Sequence, residues 1–230
     1  MTTEEKIILS TDEFNKQELL DFVKKFGSKF SCIKIHNLYD QFGPGIISEL
    51  KDAGAKRVWV DAKLHDIPNT VKLRAKAIAS SGADILTVHA SGGIEMMQAA
   101  KEGFGNGKIY AVTALTSLTN QNIKAIYNAQ DAKEMVLRLA PLVRQSGVDG
   151  LVCSPLEIEM LRANPDLKNL EIVVPGIRSQ GVSANDQQRF DTPVNALKAG
   201  ANFLVIGRQI TQAKDPGQAI ADLENEISNI

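Results

Sequence analysis

Eight short apolar runs rich in β-branched residues recur along the chain, and stretches with helical spacing separate them. This alternation constrains the fold strongly, because near-continuous hydrophobic strands joined by helices are typical of a parallel sheet covered on its outer face. The predicted strands are Lys6–Ser10, Ser31–Ile35, Arg57–Lys63, Asp84–His89, Lys108–Leu115, Gly150–Ser154, Glu171–Gly176 and Phe203–Arg208. The predicted helices between them include Leu19–Phe26, Ile46–Gly54, Val71–Ala83 and Met135–Val148.

Glycines mark the ends of several predicted helices. Gly54, Gly82, Gly147 and Gly200 each follow a helical stretch and precede a strand, as glycines at helix C-caps do. Eight βα repeats in 230 residues predict an α/β protein, a single-domain (β/α)8 TIM barrel that spans residues 1–230. An open, doubly wound parallel sheet is the alternative fold that this pattern leaves open.

The charge balance excludes some classes of function. A formal net charge of -1 gives no global positive field, so we expect no nucleic-acid partner and no anionic membrane partner. The first ten residues are acidic where an export signal is basic, and their apolar run is too short to span a membrane. Cys32 and Cys153 lie in apolar runs, so we expect buried thiols and a cytoplasmic location.

Polar residues stand where the predicted strands end, which is where barrels place their active sites. These residues are Asp12, Lys34, Asp61, Lys63, Asp66, His89, Thr113, Thr116, Ser154, Gly207 and Arg208. Asp61 and Lys63 are two positions apart in a strand, so both side chains are predicted to face the barrel lumen. Together with Lys34 and Asp66 they would form an alternating Lys–Asp–Lys–Asp cluster.

This charged cluster has two interpretations. It is either a salt-bridge network that closes the barrel mouth, or a catalytic array in which an ammonium group stabilises a developing carbanion and then protonates it. Lys63 is the best candidate for that proton donor. The cluster alone leaves both interpretations open.

A second candidate site lies at the end of the eighth strand. In VIGRQI a strand ends in Gly207-Arg208 before a helix, an arrangement that binds phosphate in many barrels; a plain surface arginine is the alternative. A long irregular segment, residues 176–189, follows the seventh strand. It is predicted to be either a functional lid that phosphate-bearing ligands order, or an ordinary surface loop.

The segment DAKLHDIPNTV, residues 61–71, resembles the DxKxxDIPxT motif of the orotidine 5′-phosphate decarboxylases. The segments GADILTVHASGG, AVTALTS, VCS, PGIR, NDQQRFDTP and VIGRQIT follow in the order that this family shows. The resemblance implies decarboxylation of orotidine 5′-phosphate to uridine 5′-monophosphate (UMP) and CO₂, the last step of de novo UMP biosynthesis, without cofactor or metal. Two segments depart from the family pattern: LSTDEF replaces an ALDF-like run, and KIHN, with His36, replaces KVG beside Lys34.

The resemblance also implies roles for individual residues. Asp61, Lys63, Asp66 and Lys34 would be the catalytic array, with Lys63 protonating C6 of the pyrimidine. The protein would be a homodimer in which Asp66 and Thr70 reach into the partner's site. The substrate-binding positions would be Asp12, Lys34, Asp61, Ile67, Thr70, Thr116, Ser154, Pro175, Arg178, Gln187, Gly207 and Arg208.

Two other functions are compatible with such a barrel. The first is a Mg²⁺-dependent sugar-phosphate decarboxylase or aldolase of the same suprafamily, in which the aspartates bind the metal. The second is a non-catalytic barrel that binds a nucleotide or phosphate. Dependence of turnover on metal separates the first from the decarboxylase, and substitution of Lys63 separates the second.

Overall fold

Each apolar run forms a β-strand in the computed structural model, which describes residues 1–179, 189–228 and 230. The strands are β1 Ile7–Ser10, β2 Cys32–Ile35, β3 Val58–Leu64, β4 Ile85–His89, β5 Lys108–Val112, β6 Gly150–Val152, β7 Glu171–Val174 and β8 Phe203–Ile206. Each strand pairs in parallel with the next, and β8 pairs with β1 to close the barrel. The (β/α)8 prediction is confirmed, and closure excludes the open doubly wound sheet.

Helices cover the outside of the barrel. They are α1 Thr3–Lys6, α2 Lys16–Phe26, α3 Asn37–Phe42, α4 Gly45–Asp52, α5 Pro68–Ser80, α6 Gly93–Phe104, α7 Asn120–Tyr127, α8 Ala132–Ser146, α9 Ile158–Arg162, α10 Pro193–Lys198, α11 Arg208–Thr211 and α12 Pro216–Ser228. Across the described ranges, none of these helices is both long and apolar enough to cross a lipid bilayer.

The predicted helices begin too late. Helix α2 starts at Lys16 because Asn15 caps it: the Asn15 side chain accepts a hydrogen bond from the Glu18 amide, and the Glu18 carboxylate accepts one from the Asn15 amide. Helix α8 starts at Ala132 after the Asp131 cap. The helix ends were predicted better, since each of the four glycines expected there has a positive φ.

Two apolar layers hold the fold together. Side chains from the strands fill the barrel interior in one buried cluster of Ile8, Cys32, Trp59, Ile85, Tyr110, Val173 and Val205. The Trp59 and Tyr110 rings meet edge to face there, with centroids 5.5 Å apart. A second, larger cluster lies between the strands and the helices. Cys32 and Cys153 are buried and unpaired, as expected, and burial raises the pKa of Cys32 to about 12.

A repeated polar clasp stabilises the amino-terminal end of the barrel. In each copy, the residue just before an even-numbered strand (β4, β6 or β8) accepts two hydrogen bonds. One comes from a backbone amide of the preceding odd-numbered strand, and the other comes from a basic side chain of the helix that precedes this odd-numbered strand. The three copies are Lys51–Val58–Asp84, Lys101–Ile109–Asp149 and Arg162–Ile172–Asn202. The side chains of these clasp residues are therefore engaged in structural hydrogen bonds.

Candidate active site

A cavity of about 420 Å³ opens at the carboxyl ends of the strands. It is lined by Ser10, Asp12, Glu13, Lys34, Trp59, Asp61, Lys63, Val112, Ala114, Leu115, Thr116, Val152, Cys153, Pro175, Gly176, Arg178, Val205, Gly207, Arg208 and Thr211. The lining is charged on the side of β1 to β3 and basic beyond β7 and β8, with apolar side chains such as Trp59 and Val205 between. A ligand with an anionic end and a flat apolar body fits this distribution.

Asp61 is the centre of the charged side. Its Oδ2 atom lies 2.8 Å from Lys63 Nζ and 3.2 Å from Lys34 Nζ. Lys34 also donates a hydrogen bond to Asp12 Oδ1 at 3.1 Å, and Ser10 donates to Asp12 Oδ2. The expected contacts among Lys34, Asp61 and Lys63 are therefore present.

Burial and pairing oppose each other at Asp61. Burial alone would raise the pKa of its carboxyl, but the ammonium groups of Lys34 and Lys63 outweigh burial and hold the pKa well below its usual range. At Lys34, burial favours the neutral amine, yet the carboxylates of Asp61 and Asp12 raise its pKa above the ordinary value. The aspartate is thus a carboxylate and Lys34 an ammonium near neutral pH.

The backbone of β3 is irregular where the motif begins. Val60 pairs with Leu86, but the next pair is Leu64 with Val88, so β3 carries two extra residues between these pairs. Lys63 lies in this bulge with φ 45°. A residue with a side chain in this left-handed region costs about 1–3 kcal/mol. Simple strand alternation therefore does not explain the contact between Lys63 and Asp61; the bulge and the left-handed turn bring the side chains together.

The opposite side of the cavity is basic. Arg178, which follows β7, is buried, and its guanidinium donates to the Ile177 carbonyl at 2.7 Å. Arg208 follows β8, and a Cβ on Gly207 would lie 3.2 Å from the Ser10 carbonyl oxygen. Helix α11 has only four residues, so the positive groups available here are two guanidiniums and local backbone amides rather than a long helix dipole.

Some of the expected site residues lie elsewhere. Asp66 and Ile67 are exposed in the turn before α5, and Thr70 lies in the first turn of that helix, so none of the three lines the cavity. Ser154 is fully buried next to the lining residue Cys153, and its hydroxyl has no hydrogen-bond partner. Gln187 and the middle of the long loop, residues 180–188, lie outside the described residues. The roles of these residues stay predictions.

Two groups of site residues were missed from the sequence. Trp59 and Thr87 connect to the free oxygen of Asp61 through buried hydrogen bonds. Glu157, almost completely buried, pairs with Arg189 at 2.9 Å, and Arg189 also donates to the Leu115 carbonyl at the cavity wall. Both groups join residues 26 or more positions apart, which no local sequence pattern reveals.

Comparison with known proteins agrees with this geometry. Residues 5–223 match the profile of the orotidine 5′-phosphate decarboxylase / HUMPS family. An orotidine 5′-phosphate decarboxylase of Pseudoalteromonas translucida is 40% identical over 228 residues, 96% of this chain and 97% of its own length. One from Streptococcus pneumoniae serotype 19F is 40% identical over 97% of both chains.

Solved structures extend the likeness to three dimensions. The crystal structure of orotidine 5′-phosphate decarboxylase from Lactobacillus acidophilus has a TM-score of 0.81 and 34% identity, covering 96% of this chain and 98% of that one. The profile match covers nearly the whole barrel and includes the Asp61–Lys63 segment. The chain therefore belongs to the orotidine 5′-phosphate decarboxylase / HUMPS family.

Proposed function

We propose that this chain decarboxylates orotidine 5′-phosphate to UMP and CO₂ in pyrimidine biosynthesis. Relatives that carry the name of this enzyme and match nearly the full chain support the reaction. The structural observation that carries the proposal is a buried carboxylate, Asp61, that holds the ammonium groups of Lys34 and Lys63 at the wall of one cavity. The buried, unpaired cysteine thiols support a reducing, cytoplasmic location.

The charged side supplies the chemistry. When the bond between C6 and the carboxylate carbon breaks, its electron pair stays on C6 and CO₂ leaves. The ammonium of Lys63 stabilises this developing negative charge, and one of its protons is transferred to C6. The resulting neutral amine regains a proton from water. No bond in this sequence requires a cofactor, because electrons and protons balance between the substrate and Lys63.

The basic side holds the non-reacting end of the substrate. Arg178 and Arg208 are suited to bind the phosphate, because guanidinium groups pair with phosphate oxygens through two parallel hydrogen bonds. The apolar lining residues between the two sides would contact the pyrimidine. Binding energy from the phosphate then orients the reacting carbon toward Lys63, which raises the rate of the chemical step.

The cavity carboxylates are poorly arranged for a metal. Oδ2 of Asp61 already accepts two ammonium groups, and Oδ1 accepts a hydroxyl proton. Asp12 receives Lys34 and Ser10. We therefore expect turnover of orotidine 5′-phosphate, followed as loss of pyrimidine absorbance, to persist in excess chelator. Turnover of a keto-sugar phosphate with Mg²⁺, and none of orotidine 5′-phosphate, would instead establish the metal-dependent alternative.

Substitution of Lys63 tests the proton donor. Lys63→Ala should reduce turnover by about 10²–10⁴-fold or more, the range for loss of general acid catalysis. UMP binding, measured by calorimetry, should remain, because the basic side is unchanged. Lys56→Ala, which removes a surface lysine paired with Glu4, is the matched control and should keep full turnover. Unchanged turnover in Lys63→Ala would refute its role, and a wild-type protein that binds UMP without turnover would indicate a non-catalytic barrel.

A homodimer is the second part of the proposal, with Asp66 and Thr70 reaching into the partner's cavity. Their exposure outside their own cavity supports this arrangement. The same surface carries large exposed apolar side chains, with Ile67 67% and Leu73 59% accessible. Contiguous exposed apolar patches mark protein interfaces, so Ile67 and Leu73 are candidates for the contact between subunits. Sedimentation equilibrium should give twice the mass of the chain.

Mixed dimers test whether sites are shared. Lys63→Ala and Asp66→Ala should each be inactive alone, yet their co-expression should restore about a quarter of wild-type activity, since half the dimers are mixed and one site in each is intact. Co-expression of Lys63→Ala with Asp61→Asn is the control, because both changes affect a chain's own cavity, and no activity should return. Equal outcomes for the two mixtures would contradict the shared site.

A further inference from the structure

A buried hydrogen-bond relay connects the barrel interior to the carboxylate that holds both lysines. The indole N–H of Trp59 donates to Thr87 Oγ1 at 2.6 Å, and the Thr87 hydroxyl donates to Asp61 Oδ1 at 2.8 Å. Thr87 is completely buried and Trp59 nearly so. Neither residue belongs to the cluster of charges that carries the proposed chemistry.

The direction of this relay is fixed by chemistry. An indole nitrogen is only a donor, so the Thr87 oxygen must act as its acceptor. The hydroxyl has a single proton, and the Asp61 carboxylate is the acceptor that this proton reaches. The hydroxyl cannot rotate away without leaving a buried indole N–H or a buried carboxylate oxygen unpaired. Both hydrogen bonds of the relay therefore run in one direction, from the Trp59 indole through the Thr87 hydroxyl to the Asp61 carboxylate.

Asp61 has its two oxygens divided between different tasks as a result. Oδ1 is held by the Thr87 hydroxyl from β4, and Oδ2 is left to receive Lys34 and Lys63. A partial rotation of the carboxylate about its Cβ–Cγ bond would move Oδ2 away from Lys63 Nζ, which donates a hydrogen bond to that oxygen. We propose that Thr87 and Trp59 are positioning residues that fix the Asp61 carboxylate and, through it, the ammonium of Lys63; this inference rests on the proposed decarboxylase function.

Kinetics of two Thr87 variants test the proposal. Thr87→Val keeps the shape but removes the hydroxyl, and Thr87→Ser keeps the hydroxyl in a smaller side chain. Loss of a hydrogen bond to a charged group predicts a kcat about tenfold to a hundredfold lower for Thr87→Val, with KM within about twofold of wild type, and recovery of most of this loss in Thr87→Ser. Equal kcat losses in both variants, or a wild-type kcat in Thr87→Val, would overturn the proposal.

The pH profile gives a readout that a packing defect would not move. The charged and titratable groups around Asp61 are Lys34 from β2, Lys63 from β3, His89 from β4 and, through Lys34, Asp12 after β1. The relay hydroxyl is one of the hydrogen bonds that lower the Asp61 pKa. Its removal should shift the acid limb of kcat to higher pH in Thr87→Val and leave it in place in Thr87→Ser. An unshifted limb in Thr87→Val would count against the relay.

A spectroscopic test separates this inference from the proposed reaction. Trp59 is the single tryptophan in the sequence, so ¹⁵N-labelled indole gives one N–H resonance. This resonance should move in Thr87→Val and in Asp61→Asn, and stay close to its wild-type position in Thr87→Ser. If wild-type protein fails to turn over orotidine 5′-phosphate, the proposed function fails, yet the indole resonance still tests the relay. An indole resonance unaffected by Thr87→Val and Asp61→Asn would overturn it.

Discussion

The buried pair of Lys34 and Asp61 allows a quantitative test of the charged network. Their side chains are only 8% and 9% exposed, and Nζ lies 3.2 Å from Oδ2. Removal of one partner of a buried pair costs about 3–5 kcal/mol, because the other charge is left without compensation. Lys34→Met should cost about 3 kcal/mol, the lower end of this range, because Lys63 still neutralises Asp61 from 2.8 Å.

The reciprocal change and the double variant complete the cycle. Asp61→Asn should also cost about 3 kcal/mol, since it leaves two ammonium groups facing each other. The double variant removes both buried charges, so its loss should be about 3 kcal/mol instead of the roughly 6 kcal/mol expected for independent sites. Urea denaturation at pH 7 measures these free energies of unfolding. Each single variant should also lower Tm by roughly 6–12 °C.

A surface pair provides the control for this cycle. Lys56 Nζ lies 2.7 Å from Glu4 Oε2, but both side chains are more than 40% exposed. Lys56→Met should therefore reduce the free energy of unfolding far less than Lys34→Met does. All variants need the same protein concentration, because the proposed dimer would couple unfolding to dissociation. Additive losses in the double variant, or an equal cost for Lys34→Met and Lys56→Met, would refute the reasoning.

Three further changes have expected outcomes. The pKa of Asp61 is lower in the folded protein than in the unfolded chain, where it is about 3.9, so the ionised carboxylate stabilises the fold above that pH and loses this effect as pH falls through the folded value. The difference in urea midpoint between wild type and Asp61→Asn should therefore be constant above about pH 5 and become smaller below about pH 4. Gly207→Ala places a Cβ 3.2 Å from the Ser10 carbonyl oxygen, and the strain of about 1 kcal/mol should weaken UMP binding roughly fivefold in calorimetry. Unchanged affinity would show that the backbone at Ser10 moves aside without cost. Arg189→Met leaves the buried Glu157 carboxylate without its ion-pair partner and should lower the free energy of unfolding, measured in urea, by about 3 kcal/mol. The double variant Arg189→Met/Glu157→Gln should recover part of this loss.

The strands could be predicted from the sequence because their hydrophobic runs are the direct consequence of burial on both faces. The predicted run Arg57–Lys63 and the observed β3 Val58–Leu64 differ by one residue at each end. Helix starts were harder, because a cap such as Asn15 depends on a side-chain conformation that hydrophobic spacing does not show. The capping box with Glu18 was the signal available in the sequence.

The candidate site, like the fold, could be predicted only in part. Asp61, Lys63 and Lys34 could be predicted, since charges at strand ends are unusual and their family motif is specific. The bulge that places Lys63 could not, because a local change of pairing register has no signature in the alternation of residues. Thr87 was missed because a threonine in a strand is ordinary, and its partners are distant in sequence.

Each of the three polar clasps at the amino-terminal end of the barrel lies within one continuous segment of the chain, so a chain cut between these segments could reassemble from its fragments. The clasp residues span 51–84, 101–149 and 162–202, and these spans do not overlap. A break between residues 84 and 101, or between 149 and 162, would therefore leave each clasp on one fragment. Split versions of the enzyme, or circular permutants with new termini in these intervals, would keep their clasps intact and report on association of the halves through recovered activity.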